Sequence, residues 1–308
     1  MTERGTEAAT GAPAIGQGRD LPLDAHLHTD RSSDSDVPID VYAAAAAERG
    51  IAEVAITDHI DFDPRWPNFA PDIGERERIV REAAERWAPL GVAIRFGLEV
   101  SYESKREAEI RDHLARHPYD FVVGSVHVGA DSPYHERRVA GWVAGRPLAE
   151  IVEPYFAEVE AATSSGLFDA LGHLDFVKRY LVPHVTPAEL AAAPELYEPI
   201  LRALIETGMA LEVNTSGLRQ APGETYPSPA IVALFRELGG ERVTAGSDAH
   251  RADSFAFGLE DGYKAVAEAG FEHLTFRRGG DRVVVGLPGR HRLEQRGVGP
   301  RDAAHRGA

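Results

Sequence analysis

The sequence contains no cysteine, and this absence narrows the chemistry that the chain can support. None of its 308 residues can form a disulfide, act as a thiol nucleophile or bind zinc through a thiolate. Any metal site must therefore be built from imidazole and carboxylate groups. Both donors are plentiful, since the chain has 13 histidines and 49 acidic residues.

Long apolar runs are absent as well. No stretch approaches the roughly 20 apolar residues of a membrane-spanning helix, and the first 20 residues lack the charged-then-apolar order of a secretory signal. We therefore expect a cytoplasmic protein without a membrane partner. Basic residues are outnumbered, and the formal net charge is -16. Because binding to a nucleic-acid backbone needs clustered lysine and arginine, this balance favours a small-molecule partner.

Strand-like and helix-like segments alternate along the chain. Residues 1–20 and 288–308 are polar and lack apolar periodicity, so we predict disordered tails on either side of one domain, residues 21–287. Within that domain, seven apolar, β-prone runs are each followed by a helix-like stretch. Such alternation predicts an α/β fold with a mainly parallel sheet, which is either closed into a barrel or open and doubly wound.

Polar residues at the ends of the strand-like runs distinguish between these two sheets. The residues in question are His26, His28, His59, Glu99, His127, His173, Asp248 and His250. In an open sheet the carboxyl ends of the strands form a line, and usually one crevice binds the ligand. In a barrel they converge on one mouth. Since six of the seven runs contribute, the pattern favours a barrel with its active site at the carboxyl ends of the strands.

Each of these motifs also has an ordinary structural interpretation. His26 and His28 lie two residues apart on a strand and share a face, but two polar residues at a strand end can be merely structural. Asp24 on the same face would orient one of the imidazoles in either case. Asp34 lies in a loop rich in Asp and Ser, which are also the usual turn formers and helix caps. The joint placement of so many donors is what predicts a metal site.

The number of donors predicts how many ions bind and what they act on. With Asp34 there are nine donors, too many for one catalytic ion that needs about three protein ligands and a water. Two or three ions fit. Three divalent ions would bring about +6 against three carboxylates, and the surplus suits a phosphate dianion better than a neutral amide or ester. The predicted chemistry is phosphoester hydrolysis by a metal-bridging hydroxide.

A resemblance to a known family supports this interpretation. The motifs that carry it are Asp24-Ala25-His26-Leu27-His28-Thr29, Thr57-Asp58-His59, Gly97-Leu98-Glu99, Gly124-Ser125-Val126-His127, Gly172-His173-Leu174-Asp175 and Ser247-Asp248-Ala249-His250. In this order they resemble the polymerase and histidinol phosphatase family along nearly the whole core. The resemblance implies a distorted, TIM-like (β/α)7 barrel that binds three metal ions, usually zinc, manganese or iron.

The resemblance also implies how the donors are shared. The first ion would take His26, His28, Glu99 and Asp248, the second Glu99, His127 and His173, and the third Asp34, His59 and His250. Of these residues, Glu99, Asp248 and His250 are expected to be catalytic. Many members of the family carry a histidine in place of Asp34, and the aspartate marks the branch that acts on histidinol phosphate.

Three further segments, residues 121–127, 172–180 and 214–219, resemble that branch more than the polymerase-associated or nucleotide-cleaving ones. They place Arg179 and Arg219 in loops at the mouth, where the resemblance implies contact with the substrate phosphate. Without the resemblance, each would be read as a surface arginine. The implied substrate is L-histidinol phosphate, a small phosphomonoester of histidine biosynthesis.

The rest of the substrate is recognised less clearly. The amine of histidinol phosphate should meet an acidic residue, and Glu103, Asp61 and Asp175 are all candidates. Asp175 could equally be a partner of His173. The long segment 128–146 is expected to cover the substrate.

Three other functions stay open at this stage. A nucleotide or oligonucleotide phosphodiesterase of the same family would have the same metal centre. A metal-dependent amidohydrolase also begins with a strand-end HxH motif, but it normally needs a carbamylated lysine where this chain has His127. A non-enzymatic, metal-buffering or regulatory role would not require every donor position to be filled.

Overall fold

The structure is a computed structural model that describes residues 22–288. Residues 1–20 and 289–308, which belong to the two predicted tails, lie outside the described residues. The strands are β1 Leu23–Leu27, β2 Glu53–Ile56, β3 His59–Ile60, β4 Ala93–Ser101, β5 Phe121–Ser125, β6 Ala170–Leu171, β7 Ala210–Asn214, β8 Val243–Gly246, β9 His273–Arg278 and β10 Asp281–Gly286. The helices are α1 Ile39–Arg49, α2 Ile73–Trp87, α3 Glu107–Arg116, α4 Val139–Val143, α5 Leu148–Ser164, α6 Lys178–Leu181, α7 Pro187–Ala191, α8 Glu198–Thr207, α9 Pro229–Glu237 and α10 Leu259–Glu268. Short 3-10 helices span Ala88–Leu90, Ser104–Arg106, Pro194–Leu196, Thr215–Arg219 and Ala252–Ser254.

Seven parallel strands form the barrel in the order β1-β2-β4-β5-β6-β7-β8, and the two-residue β3 pairs with the end of β4. The ring closes between β8 and β1, where the His26 carbonyl accepts from the Asp248 amide at 2.9 Å. Next to it, the His28 amide donates to the Ala249 carbonyl at 3.0 Å. The predicted seven-stranded α/β barrel is therefore confirmed.

The strands of the barrel are buried, and a glycine lets two of them approach closely. Each strand of the barrel is enclosed by helices outside and by side chains inside, so β1, β2 and β5 are buried along their whole length. At the junction of β8 and β1, a side chain at Gly246 would overlap the Cβ atom of His26. Glycine at this position therefore lets the strand that leads to Asp248 approach β1 closely.

Local signals fix the ends of the helices. Asp72 caps α2 by accepting a hydrogen bond from the Glu75 amide at 3.0 Å, and Gly50 ends α1 in the left-handed conformation with φ 74°. The surrounding helices cover the outer face of the sheet and are buried on one side. No helix among residues 22–288 is long and apolar enough to span a membrane.

The hairpin β9–β10 is antiparallel and was not predicted from the sequence. It lies across the end of the barrel where the strands begin. Phe276 packs on Phe121 with 4.6 Å between ring centroids, and Arg278 forms a salt bridge with Glu53 at the start of β2. Arg277 donates to the Tyr119 carbonyl just before β5. The hairpin thus closes the end of the barrel opposite the predicted site.

Candidate metal centre

All nine predicted donors converge at the carboxyl ends of the strands. They are His26, His28, Asp34, His59, Glu99, His127, His173, Asp248 and His250. The side chain of Glu99 is buried in the middle of the cluster, and that of Asp34 is 53% exposed at its rim. The barrel therefore brings residues from seven segments of the chain into one contiguous group.

The carboxylate of Glu99 divides the cluster, because its two oxygens face different histidines. Oε1 lies 2.9 Å from His173 Nε2 and 3.3 Å from His127 Nε2. Oε2 lies 3.2 Å from the Nε2 atoms of both His26 and His28. Each oxygen of the Glu99 carboxylate therefore belongs to a different group of donors.

Asp248 completes the group around His26 and His28. Its Oδ1 lies 3.3 Å from His28 Nε2 and 3.8 Å from His26 Nε2. Asp248 has φ 52°, and His173 has φ 25°, conformations that residues other than glycine adopt rarely. Such strained backbone clusters at functional sites, where the surrounding structure enforces it.

The remaining donors form a third group at the mouth. Asp34 Oδ2 lies 3.5 Å from His59 Nε2 and 3.3 Å from His250 Nε2. The two Nε2 atoms are 3.4 Å apart. His59 also links this group to the first two, since its Nδ1 lies 2.9 Å from Glu99 Oε2.

Several buried polar atoms of the cluster have no hydrogen-bond partner among the described residues: the Nε2 atoms of His26 and His28, and Oε2 of Glu99. Burying such atoms without a partner is costly. Three trios of donors, His28–His59–His250, His26–His28–Asp248 and His59–Glu99–His127, have ligand atoms within 4.8 Å of one another. The chemistry of these donors and their unpartnered atoms fit bound cations, and the shared members make the trios one continuous centre.

Neighbouring groups fix which nitrogen of a histidine faces the centre. His26 Nδ1 lies 2.6 Å from Glu212 Oε1, so this nitrogen donates to the carboxylate and Nε2 is the atom that would bind a cation. His127 Nδ1 lies 3.0 Å from the hydroxyl of Ser101, and its Nε2 faces the cluster. Glu212 also accepts hydrogen bonds from the His173 amide at 2.8 Å.

Sequence analysis missed Glu212 and misassigned Asp24. Glu212 is the acidic residue of the apolar strand ALEVN, and that isolation was the signal that could have identified it. Asp24 does not orient an imidazole. Its oxygens instead accept from the Ser247 amide at 2.8 Å and from the Ser247 hydroxyl at 2.6 Å, which fastens the end of β8 to β1.

The carboxylates and histidines of the cluster shift one another's pKa values. Burial alone would lower the pKa of His59, but the carboxylates of Glu99 and Asp34 outweigh it and raise that pKa to about 10. Burial and the neighbouring His250 and His59 lower the pKa of His28, so this imidazole is held neutral, as a metal ligand must be. The neighbouring carboxylates also outweigh burial and raise the pKa of His26 and of His250, so without metal ions protons on these histidines balance part of the carboxylate charge.

Both predicted arginines line the cavity that opens onto the cluster, which has a volume of about 490 Å³. Arg179 is exposed and lies over the rings of Phe176 and Tyr180, 5.6 and 5.9 Å from their centroids. Arg219 is half-buried and donates to the carbonyls of Ser247 at 2.8 Å and Asp248 at 2.7 Å. Arg219 therefore also supports the backbone beside a donor, a contact that the sequence did not predict.

The structure separates the three acidic candidates for the substrate amine. Asp175 is buried, with its Oδ2 3.0 Å from both Lys178 Nζ and the hydroxyl of Tyr197, so it does not line the cavity and does not pair with His173. Glu103 forms a salt bridge with Lys105 at 2.8 Å. Asp61 lines the cavity.

A second cavity of about 540 Å³ adjoins the first and shares Asp61, Trp66, Ser101 and His127 with it. Residues 128–132, the start of the segment predicted to cover the substrate, line this second cavity. The donor cluster thus opens towards two adjoining cavities.

Comparisons with known proteins agree with this geometry. The PHP domain description matches residues 24–216, well over half of the chain. A protein of Deinococcus radiodurans named "Probable histidinol-phosphatase" is 32% identical over 82% of this chain and 96% of its own length. The histidinol-phosphatase of Lactococcus lactis is 26% identical over 82% of this chain and 93% of its own.

A solved structure shares the fold. It is histidinol phosphate phosphatase from Lactococcus lactis, complexed with zinc, L-histidinol and phosphate. The two structures agree with a TM-score of 0.74 at 25% sequence identity, over 85% of this chain and 98% of the other. The PHP domain match, residues 24–216, contains the donors from His26 to His173. The chain belongs to the PHP domain family.

Proposed function

We propose that this protein is a metal-dependent phosphomonoesterase that hydrolyses L-histidinol phosphate to L-histidinol and phosphate. The convergence of nine imidazole and carboxylate donors, several with buried atoms that lack a protein partner, carries this proposal. The names of the relatives from Deinococcus radiodurans and Lactococcus lactis support the substrate.

The donors form three groups that would hold two or three ions of zinc, manganese or iron, metals that imidazole and carboxylate both suit. The first group is His26, His28, Glu99 and Asp248, the second is Glu99, His127 and His173, and the third is Asp34, His59 and His250. When bound, such ions stabilise charge on phosphoryl oxygens and supply a bridging hydroxide, because they lower the pKa of water towards about 7.

The chain's own residues bind and orient the substrate. Arg179 and Arg219 would contact the phosphate from the cavity wall. We assign catalytic roles to Glu99, Asp248 and His250, because they join the donor groups that surround the reacting phosphate: Glu99 joins the first and second, and His250 Nδ1 lies 3.4 Å from Asp248 Oδ1.

Asp61 is the residue that we assign to the substrate amine. It lies where the two cavities meet, whereas Glu103 lines only the second cavity and is already paired with a lysine. Its Oδ2 accepts from the Asn68 amide at 2.9 Å, which holds the carboxylate in place. A carboxylate fixed in this way meets an ammonium group without having to be reorganised.

The experiment is a substrate panel run with added manganese or zinc. We expect turnover of L-histidinol phosphate, much weaker turnover of p-nitrophenyl phosphate, and none of a dinucleotide. Asp61→Asn should lower kcat/KM for histidinol phosphate about 10-fold or more, the effect of losing one charged hydrogen bond, and leave p-nitrophenyl phosphate unaffected. Activity on the dinucleotide alone would instead identify a phosphodiesterase.

Metal content tests the centre separately from the substrate. Fewer than two ions per chain after reconstitution would contradict a polynuclear centre. Hydrolysis of an amide by the reconstituted protein, with no phosphatase activity, would identify an amidohydrolase instead.

A further inference from the structure

The third donor group depends on a loop. Asp34 lies between β1 and α1, in a segment without regular secondary structure, and its side chain is 53% exposed. The imidazole of His26, by contrast, is buried on a barrel strand. Because a loop does not fix a side chain as a barrel strand does, other residues must hold Asp34 opposite His59 and His250.

Arg76 joins the two segments that carry Asp34 and His59. This side chain comes from the first turn of α2, and the residue is only 6% exposed. Its Nη1 donates to the carbonyl of His59 at 2.7 Å, and its Nη2 donates to the carbonyl of Arg31 at 2.5 Å. One guanidinium group thus fixes the backbone of His59 and that of the loop three residues before Asp34.

The partners of Arg76 are unusual for a buried arginine. Its hydrogen bonds go to backbone carbonyls, and among residues 22–288 no salt bridge within 4.0 Å includes it. Burying a guanidinium without a carboxylate partner is costly, and a residue that only filled the core could be apolar. The position of Arg76 is better explained by the two carbonyls that it holds.

Other contacts tie the same loop to the same stretch of chain. Asp58 accepts from the Thr29 amide at 2.6 Å and from the Ser32 hydroxyl at 3.0 Å. Asn68 accepts from the Ser33 amide at 2.9 Å. These contacts hold the loop on either side of the Arg31 carbonyl. The Ser32 hydroxyl also accepts from the His59 amide at 3.0 Å, so Ser32 and Arg76 hold the two sides of the His59 backbone, and Arg76 does so from outside the loop.

We infer that Arg76 is a positioning residue for the third metal site, formed by Asp34, His59 and His250. It sets the separation of two donors without contacting either side chain. The inference rests on the proposed metal centre but not on its substrate. It predicts that removing Arg76 weakens the third ion selectively, since Asp34 and His59 both belong to that group. His28, the member of the first group at the start of the same loop, is held separately by the hydrogen bond from its amide to the Ala249 carbonyl at 3.0 Å.

The test is metal binding by Arg76→Met, with Arg78→Met as the matched control. Arg78 lies on the same helix, and its exposed side chain pairs with Glu75 and Glu82, so both variants lose one positive charge. Each protein is stripped with a chelator and titrated with manganese, and binding is followed by calorimetry and by electron paramagnetic resonance. No substrate is needed for either measurement.

We expect the unchanged protein and Arg78→Met to bind three ions, one in each donor group, and only two ions in the unchanged protein would overturn the inference. Arg76→Met should bind two ions with unchanged affinity and the third roughly 10- to 100-fold more weakly, as when a supporting contact of a metal ligand is lost. Arg76→Lys, which keeps the charge but has no planar fork, should lie between them.

Equal loss of all three ions would show a merely structural role and overturn the inference, as would three ions bound with unchanged affinity. If Arg76→Met does not fold, the titration of Arg76→Lys decides by the same criterion. A failure of the proposed function would be distinguishable, because it would show as an absence of phosphatase activity in the unchanged protein at full metal occupancy.

Discussion

Glu212 offers the sharpest test of how the protein supports its metal ligands. Its carboxylate is fully buried and accepts three hydrogen bonds: from His26 Nδ1 at 2.6 Å, from the His173 amide at 2.8 Å and from the Asn214 side chain at 3.0 Å. Glu212→Gln keeps the volume but removes the charge and replaces one acceptor oxygen with a donor. The new amide cannot satisfy all three donors at once.

The magnitude follows from these contacts. A hydrogen bond to a buried charged group contributes about 1.5–3 kcal/mol, and at about 1.4 kcal/mol per tenfold change this corresponds to roughly 10- to 100-fold. We expect manganese affinity at the group containing His26 to fall by that factor, because the imidazole loses the partner that fixes its tautomer. The decrease in kcat/KM at limiting metal should be similar, and excess metal should partly restore it.

The assay is competition for manganese against a chelator of known affinity. Glu206→Gln, an exposed glutamate on α8, is the control for the change in charge. Unchanged metal affinity and unchanged kcat/KM in Glu212→Gln would refute the reasoning, because the carboxylate would then be a buried charge with no influence on the ligands.

Three further predictions concern other parts of the protein. His127→Ala should lower kcat about 100- to 1,000-fold, on the order of losing one group that stabilises charge in the transition state. Circular dichroism should show an intact fold, and substantial activity at saturating metal would remove His127 from the centre. Arg179→Ala should mainly raise KM. Arg219→Ala should lower kcat as well, because the Arg219 side chain also holds backbone carbonyls. Identical changes of kcat and KM in the two variants would contradict this distinction. Burial lowers the pKa of His113 to about 4 from 6.5, so its stabilising neutral form is fully present above pH 6.5 and is lost towards pH 4. The stability advantage over His113→Gln, which can still bond Tyr119, should therefore shrink by up to about 3 kcal/mol over that range in urea unfolding, and a constant difference would refute it.

The strand ends of this chain could be read from the sequence because the barrel uses them in a regular way. Histidine or a carboxylate at the end of an apolar run is conspicuous, so the sequence alone predicts His26, His173 and Asp248 as donors. Parallel strands bring their carboxyl ends to one edge whatever the details of the loops. The convergence of these donors follows from the topology.

Other features depend on contacts between distant segments, which no local pattern records. Asp24 and His26 share a face, but Asp24 bonds Ser247 across the closure of the barrel. Asp175 follows a donor by two residues, yet the chain turns after His173 and its carboxylate meets Lys178 inside the protein. The hairpin of β9 and β10 was missed because the alternation of strands and helices stops at α10.

The hairpin of β9 and β10 stabilises one end of the barrel, and the candidate site occupies the other. Arg278 and Phe276 join it to β2 and β5 at the end where the strands begin, and every donor lies at the other end. Thermal stability can therefore be changed by substitutions at one end, and substrate specificity by substitutions at the other. In engineering the protein, substitutions around the hairpin would change its rate of unfolding, and substitutions in the loops at the mouth would change its choice of substrate.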